Sequence, residues 1–308
     1  MKKGLSLILF VILLSPLSGQ DYDIGIRAGL NFAQFSGPTE LDVNESYSIS
    51  SGFHFGISFQ WNFNSFFGLK SEIMYSQIGT KYEYNDIGYY LFDFVNTVDV
   101  ERFVVKDQSN LTLDVSNAHI SFPITGHVSL GEKFEIFGGA YFNLLVSPVG
   151  IGEWTFGEPG LNAPDHTFRQ TLDYNYNSDW AGPFGVNRIG QPILIIVNNQ
   201  DVDLASLPGA YFLLPPNDVT FDINEDSNNI FEPPVKRFKG IDYGVIGGIS
   251  YYINKGLYLS ARLEYGLNDI TNQEVDYSIK NVNDDGSLIF NDDFDRNINL
   301  GISLGFRF

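Results

Sequence analysis

Apolar and polar residues alternate with a period of two in eight segments of the chain, each about ten residues long. Such alternation is typical of β-strands that present one apolar face and one polar face. The segments run about 22–32, 53–63, 67–78, 118–130, 134–146, 242–251, 257–266 and 297–308. In the last segment, Ile302, Leu304 and Phe306 alternate with Ser303 and Gly305.

The connections between these segments alternate in length. Three are short, at about 64–66, 131–133 and 254–256, and four are long, at about 36–50, 79–117, 148–240 and 268–296. Short turns at one end and long loops at the other are typical of bacterial outer-membrane barrels. The sequence therefore predicts an all-β fold: an eight-stranded antiparallel up-and-down transmembrane β-barrel with long extracellular loops. Because the strand number is even, both termini would lie at the short-turn, periplasmic end.

The connection at about 148–240 leaves a second architecture open. It contains two apolar runs, 193–197 and 211–214, which would form an extra hairpin and give ten strands. A connection of this length is usually functional or partly folded. Its Trp154, Trp180 and Phe184, with two proline pairs, suggest a surface for a protein partner.

A soluble barrel or a secreted sandwich would show the same alternation with its apolar face inward. Here the polar faces are rich in Gly and Ser, and the interior of an eight-stranded barrel is only just wide enough for side chains. The large aromatic residues of the apolar faces should therefore point outward into lipid. Those near the short turns form a predicted aromatic girdle: Tyr22, Trp61, Phe63, Phe67, Phe134, Tyr251, Phe306 and Phe308. A second set lies near the opposite strand ends: Phe32, Phe53, Tyr75, Phe142, Tyr243 and Tyr265.

Charged residues on the polar faces nearly balance. Charges in a narrow, dry lumen must pair, because an isolated buried charge carries a large desolvation cost. The sequence thus predicts a lumen charge network: Arg27, Lys70, Glu72, Glu135, Asp242, Arg262, Glu264 and Arg307.

The N-terminus has the pattern of a Sec signal peptide, with Lys2 and Lys3 before an apolar run at 5–14. Cleavage after Gly19 is expected, which makes 1–19 the signal peptide and 20–308 the barrel, located in the bacterial outer membrane. The chain has no cysteine, which excludes disulfides and thiolate sites. Its net charge of −19 argues against nucleic acid as a partner.

Several stretches resemble the PorT-like outer-membrane β-barrel proteins of Bacteroidetes. They read DIGIRAGLNFAQFSG (23–37), HISFPITGHVSL (119–130), FEIFGGAYFNLLVSP (134–148), DYGVIGGISYYI (242–253) and LSARLEYGLNDI (259–270). The end, NINLGISLGFRF (297–308), looks like the C-terminal signal read by the barrel-assembly machinery, with Phe306 and Phe308 as its aromatic residues. The resemblance implies an outer-membrane barrel, and it links the chain to protein secretion of type IX through the family's named member.

Candidate chemistry is sparse. A hydrolase or acyltransferase at the barrel rim would have to use Ser50, Ser51, His54 and His119, and their spacing matches no known motif. Asp222, Asn224 and Asp226 have the first half of a calcium-loop spacing, but Ser227 replaces the required Gly. The sequence predicts no cofactor and no metal site beyond these weak calcium candidates.

These observations favour a non-enzymatic barrel that serves as a structural or binding component of the cell envelope, with a possible link to secretion. Its expected partners are outer-membrane lipid, the barrel-assembly machinery during biogenesis, and a protein bound through the 148–240 loop. A small diffusion pore and a rim-located hydrolase or acyltransferase are the alternatives.

Overall fold

The computed structural model describes residues 21–39, 42–95, 100–156, 168–176, 236–272, 279–282, 288–290 and 294–308. These residues contain eleven strands, β1 to β11 in chain order. The strands are β1 (Asp21–Ser36), β2 (Glu45–Asn62), β3 (Phe67–Val95), β4 (Val100–Leu130), β5 (Phe134–Phe156), β6 (Phe168–Asn175), β7 (Ile241–Tyr252), β8 (Leu257–Gly266), β9 (Ile279–Val282), β10 (Leu288–Phe290) and β11 (Arg296–Arg307). Among the described residues, no helix is long and apolar enough to cross a membrane.

Eight of these strands form a closed antiparallel ring. The order around the ring is β1, β2, β3, β4, β5, β7, β8 and β11, and β11 pairs back onto β1 from Gly25↔Arg307 to Ser36↔Arg296. β6 pairs only with the last part of β5, over Val149–Phe156, and lies outside the ring. The predicted eight-stranded barrel is therefore confirmed, and the ten-stranded alternative is not.

Three tight turns join strands at the end of the barrel that also holds Asp21 and Phe308, here called the near rim. Two of them use the same device. The Asn64 Oδ1 atom accepts hydrogen bonds from the backbone N–H groups of Phe66 and Phe67, and Asn254 caps its turn in the same way. In the third turn, Gly131 adopts a φ of 71°, which favours glycine. The opposite end is called the far rim.

Over the part of the barrel that begins at the near rim, here called the apolar band, the wall has an apolar outside and a polar inside. Outward side chains such as Ile26, Phe55 and Leu304 are about half exposed, although they are large and apolar. Inward side chains such as Arg27 and Glu72 are buried. The barrel is thus inside out relative to a water-soluble protein, as the sequence predicts.

The strands are longer than the sequence predicts on one side of the barrel. β3 has 29 residues and β4 has 31, whereas β7 has 12 and β8 has 10. The predicted loop at 79–117 is wrong, because β3 and β4 remain paired as far as Val95↔Val100. The predicted loop at 148–240 begins with strand as well, since β5 continues to Phe156 and pairs with β6. Its apolar runs at 193–197 and 211–214 lie outside the described residues.

Beyond the apolar band, the interior of the molecule becomes apolar. A second core joins β1, β3, β4 and β5 with residues 176, 238 and 270. Its buried members are Phe35, Tyr82, Tyr84, Leu111, Leu113, Val115, Trp154, Tyr176, Phe238 and Ile270. The rings of Phe35 and Tyr176 pack against Phe238, with centroids 5.9 Å and 5.0 Å away. This far core covers the mouth of the barrel.

Candidate functional site

The centre of the lumen is crossed by a buried ion-pair cluster on Glu72 of β3. Arg27 of β1 donates from Nη1 to both carboxylate oxygens of Glu72, at 2.9 and 3.2 Å. Arg262 of β8 reaches the same carboxylate at 3.6 Å and pairs with Glu264 at 3.1 Å. β3 and β8 lie on opposite sides of the ring, so the side chains of Arg262 and Glu72 together bridge the lumen from wall to wall. Two guanidinium groups and two carboxylates balance within this cluster.

A second cluster closes the lumen nearer the near rim, around Glu135 of β5. Lys70 donates from Nζ to Oε1 at 2.9 Å, and Tyr252 donates its hydroxyl to Oε2 at 3.1 Å. The His127 Nδ1 atom lies 3.1 Å from the same oxygen. The Lys70 ammonium also lies 5.7 Å from the ring centroid of Tyr258. The strands that meet here are β3, β4, β5, β7 and β8.

Above the central cluster, five side chains form a continuous hydrogen-bond chain. The Arg27 Nη2 group donates to Ser303 Oγ at 2.7 Å, and the Ser303 hydroxyl donates to His54 Nε2 at 2.7 Å. His54 Nδ1 lies 2.8 Å from Asn31 Oδ1 and donates to it, because an amide oxygen can only accept. The Asn31 amide in turn donates to Ser76. Sequence reasoning missed Ser303 and Asn31, since only the register of β1, β2 and β11 brings them to His54.

This Ser303–His54–Asn31 order resembles the geometry of a nucleophile, a base and an orienting amide. All three side chains are buried in the lumen, however, below the far core and with a guanidinium already bound to the serine oxygen. The predicted rim candidates do not assemble. Ser50 donates to Asp114, Ser51 is exposed, and no contact joins His119 to His54 among the described side chains.

Two predicted members of the charge network lie apart from these clusters. Among the described residues Asp242 meets no cation; it accepts hydrogen bonds from the amides of Asn143 and Asn297, both at 3.1 Å. It lies near the start of β7, above the level that Arg262 reaches. Arg307 is the last residue of β11, and at the near rim it lies 3.6 Å from Asp23. Its side chain is 29% exposed, so it remains partly hydrated.

Glycine on the inward face makes room for the large lumen side chains. A Cβ atom at Gly305 would overlap the ring of Tyr258, and one at Gly301 would press on the Arg262 side chain. Gly248 and Gly244 make room in the same way for Phe137 and Tyr141. Four aromatic side chains lie inside the barrel. These are Phe137, Tyr141, Tyr252 and Tyr258. The glycine-rich polar face that the sequence shows is thus paired with large inward groups on neighbouring strands.

The predicted girdle residues lie on the outside of the near rim. Tyr22 stacks on Trp61 with ring centroids 6.0 Å apart, and Trp61, Phe63 and Phe67 continue the row at 4.8 and 5.5 Å. Two further pairs are Phe134–Tyr251 at 5.2 Å and Phe306–Phe308 at 5.1 Å. Such exposed rings suit the boundary between lipid and water.

Outside the apolar band, burial raises the pKa of the Tyr82 hydroxyl well above its ordinary value, and nearby Glu45, which accepts its hydrogen bond at 2.6 Å, raises it further. No group of His, Asp and Glu among the described residues could hold a metal ion. The calcium candidates Asp222, Asn224 and Asp226 lie outside the described part of the chain.

The comparison with protein families decides the identity of the fold. A family model described as "Outer membrane protein beta-barrel domain" matches residues 18–179, more than half of the chain. The chain belongs to this family. It is therefore a β-barrel protein of the outer membrane, and the exposed apolar band of its wall faces lipid.

Three solved structures of outer-membrane proteins match the chain at low sequence identity and with low TM-scores. Ail of Yersinia pestis is 10% identical, with a TM-score of 0.32 over 94% of this chain and 99% of that chain. Neisserial surface protein A is 12% identical, with a TM-score of 0.25 over 94% and 100%. OprG of Pseudomonas aeruginosa is 10% identical, with a TM-score of 0.28 over 94% and 97%. No curated protein matches the chain.

Proposed function

We propose that this protein is a closed, non-enzymatic barrel that anchors an extracellular binding platform in the outer membrane, as a PorT-like component of an envelope or secretion complex. The observation that carries the proposal is the contact of Arg262 with Glu72 across the whole lumen. The platform consists of the far halves of β3, β4 and β5, with β6 and the rest of the 148–240 segment. Export through Sec, with loss of residues 1–19, is part of the same proposal.

The filled lumen argues against a diffusion pore. Eight strands enclose little space to begin with. Here the described side chains fill it at two levels, through the clusters on Glu72 and Glu135, and the far core covers the mouth. Opening a path for ions would separate buried charges from their partners, which costs several kcal/mol for each separated charge.

The β3–β4 ribbon supports a partner-binding role. The ladder between β2 and β3 ends at Glu45↔Tyr84, and the ladder between β4 and β5 ends at Ser109↔Phe156. Residues 85–95 and 100–108 therefore continue as a two-stranded ribbon, beyond the last pairs of β2 and β5. A two-stranded ribbon is marginally stable in water by itself. Its sequence is nevertheless rich in aromatic and β-branched residues, as in YYLFDFV (89–95) and FVV (103–105), which favours a covering partner.

Planar-bilayer recording tests the closed lumen. The full protein, reconstituted without detergent, is expected to give no steady current, whereas a porin prepared in the same way provides the positive control. Steady unitary currents from the wild-type protein would overturn the closed barrel and would restore the diffusion pore.

Crosslinking in native membranes, followed by purification of the barrel, tests the platform. Two deletion variants are compared with the full chain: one replaces residues 86–107 by a short turn, and the other removes 178–235. We expect a protein partner that is lost with one or both deletions while the barrel remains folded in the membrane. A partner that both variants retain would move the binding surface to the wall or to the near-rim turns.

The enzymatic alternative is tested on Ser303. Ser303→Ala and His54→Gln should leave any lipase or acyltransferase activity of purified barrels at the level of the wild-type background. A loss of activity in both variants would contradict the proposal, because the same chain of hydrogen bonds would then be catalytic.

A further inference from the structure

The outer wall at the far rim has a depression between β7, β8 and β11. It is lined by Lys239, Ile241, Tyr243, Leu267, Asn268, Asp269 and Phe294. Outward residues nearer the middle of the same strands, such as Val245, Leu263 and Leu300, belong to the lipid-facing band. The depression therefore lies where the acyl chains of the membrane end and the lipid headgroups begin.

Backbone hydrogen bonds fix the shape of this depression. The Asn268 Oδ1 atom accepts the Tyr243 N–H at 2.8 Å, and the Asn268 amide donates to the carbonyl of Ile241 at 3.0 Å. The Lys239 N–H donates to the carbonyl of Ile270 at 2.8 Å. Two segments that enter and leave the barrel wall are thus tied together, and the site is formed before any ligand binds.

Arg296 does not line the depression but packs against its lining residue Phe294, and it contributes there a positive charge that no described carboxylate neutralises. Its guanidinium carbon lies 4.4 Å from the ring centroid of Phe294 and 5.7 Å from that of Tyr265. The Nη1 group donates to the hydroxyl of Tyr265 at 2.7 Å, and the Nε group has no hydrogen-bond partner. The two rings hold the guanidinium in place. Its Nε group is buried, so the donor left for an anion is the Nη2 group, which has no hydrogen-bond partner among the described residues.

Lys239 contributes the second charge. Its Nζ atom lies 2.6 Å from the Asp269 Oδ2 atom, while 40% of its side chain remains exposed. Asp269 is almost fully buried, and its Oδ1 atom accepts hydrogen bonds from Thr271 and from the N–H of Asp295. The carboxylate is therefore shared among several donors. It positions the ammonium at the edge of the depression, where the ammonium can donate to another oxygen.

We propose that this depression binds the phosphate of an anionic lipid headgroup in the leaflet at the far rim, and the acyl chains then lie over the wall below. Arg and Lys are the residues that bind phosphate, and aromatic rings prefer the headgroup level. The apolar lining and its continuity with the lipid-facing band favour a lipid over free phosphate. A chain with 37 acidic and 18 basic residues repels anions overall, so binding needs this local pair of cations.

Native mass spectrometry of the full protein in a neutral detergent tests the proposal. The probes are phosphatidylglycerol, phosphatidylcholine with the same acyl chains, and inorganic phosphate. We expect one tightly retained phosphatidylglycerol and weaker retention of phosphatidylcholine. Each cation near a lipid surface contributes about a factor of five in binding. The double variant Lys239→Gln, Arg296→Gln should therefore lower phosphatidylglycerol occupancy roughly twentyfold.

Lys255→Gln is the matched control, because it removes an exposed charge at the near rim and should leave occupancy unchanged. Unheated gel mobility shows whether each variant is folded, and Arg296→Lys, which keeps the charge, should retain most of the binding if the barrel is intact. Equal retention of the two lipids, or full retention by the double variant, would overturn the proposal. Displacement of the lipid by inorganic phosphate at equal concentration would overturn the lipid assignment. None of these outcomes bears on the closed lumen or on the β3–β4 ribbon.

Discussion

The two halves of β3 lie in different media, lipid and water, although inward and outward side chains alternate in the same phase in both. In the lipid-level half, inward Lys70 and Glu72 oppose outward Leu69 and Ile73. In the far half, the polarity of the same two faces is exchanged. Inward Tyr82 and Tyr84 are buried in the far core, and outward Lys81 and Glu83 are exposed. The exchange occurs between about residues 77 and 81, and it marks the level at which the strand leaves the lipid.

The comparison shows that strand alternation carries no information about the medium by itself. In lipid, the outside of the wall is stabilised by contact with hydrocarbon, and the inside must satisfy its polar groups with one another. In water, the ordinary hydrophobic core returns. The two halves should therefore respond differently to the same kind of substitution, and four experiments use that difference.

The largest effect is expected in the lumen. Glu72→Gln removes the carboxylate that Arg27 and Arg262 share, and it leaves two buried guanidinium groups beside Glu264 alone. Removing one partner of a buried ion pair costs about 3–5 kcal/mol. Reversible urea unfolding in lipid vesicles should show a loss of that size.

Glu83→Gln on the same strand is its control, because Glu83 is exposed in the far half. Substitutions at such surface sites stay within about 0.5 kcal/mol. If Glu72→Gln were as stable as Glu83→Gln, the charges in the lumen would have to be hydrated rather than paired.

The far core should lose stability by an ordinary cavity mechanism. Leu111 is 1% exposed, and Leu111→Ala should cost roughly 2–5 kcal/mol. Because the far core can open while the barrel stays closed, limited proteolysis of intact vesicles is the suitable measurement. We expect faster cleavage beyond the lipid level and unchanged mobility of the folded barrel on unheated gels. Thr112→Ala, at the exposed neighbour, is the control and should be cleaved at the wild-type rate. Equal cleavage of the two variants would show that Leu111 is not part of a packed core.

The same substitution at two exposed apolar positions, one facing lipid and one facing water, compares the two media directly. Ile302 is 48% exposed in the middle of β11, and Ile151 is 59% exposed in the far half of β5. Arginine on the lipid face of a barrel costs about 2–4 kcal/mol near the midplane, so Ile302→Arg should lower the free energy of unfolding by that amount. Ile151 pairs across to Asp114 and Asp173, so Ile151→Arg should be neutral or slightly stabilising. Similar losses at both sites would mean that the lipid boundary lies further out than residues 77–81.

The same exchange of faces explains what the sequence could predict. Eight strands, three tight turns and the outward apolar faces follow from the alternation, because each lipid-level segment has a clean apolar side. Residues 80–85, TKYEYN, alternate as well, but they place Lys81 and Glu83 where the lipid-level half has Leu69 and Ile73. This exchange of polarity makes the sequence predict a loop here, although the strand continues.

The contacts in the lumen depend on register and on distance across the ring, which single strands do not encode. The list of inward charges places Glu72 and Arg262 on the polar face, but it does not reveal that they meet from opposite walls. The chain from Ser303 through His54 to Asn31 depends on three strands whose residues are far apart in sequence. The sequence predicts an ion pair for Asp242 because its negative charge is the only feature that the list of charges records. Its actual partners, the amides of Asn143 and Asn297, are uncharged and do not appear in that list.

The smallest effect concerns the hydroxyl of Tyr82 in the far half. Tyr82→Phe removes the 2.6 Å hydrogen bond to Glu45. Hydrogen bonds to charged groups contribute about 1.5–3 kcal/mol, and this one is only partly buried, so a loss of about 1.5 kcal/mol is expected at neutral pH.

Burial, together with the negative charge of Glu45, raises the pKa of Tyr82 in the folded protein above that in the unfolded chain, which is about 10. The contribution of this tyrosine is therefore complete below pH 10. It declines at higher pH, because only the unfolded chain then releases the proton. Protease resistance of the far half, measured between pH 8 and 11.5, should fall more steeply in the wild type than in Tyr82→Phe. Parallel curves for the two proteins would place the Tyr82 hydroxyl in water and would weaken the assignment of a dry core beyond the lipid.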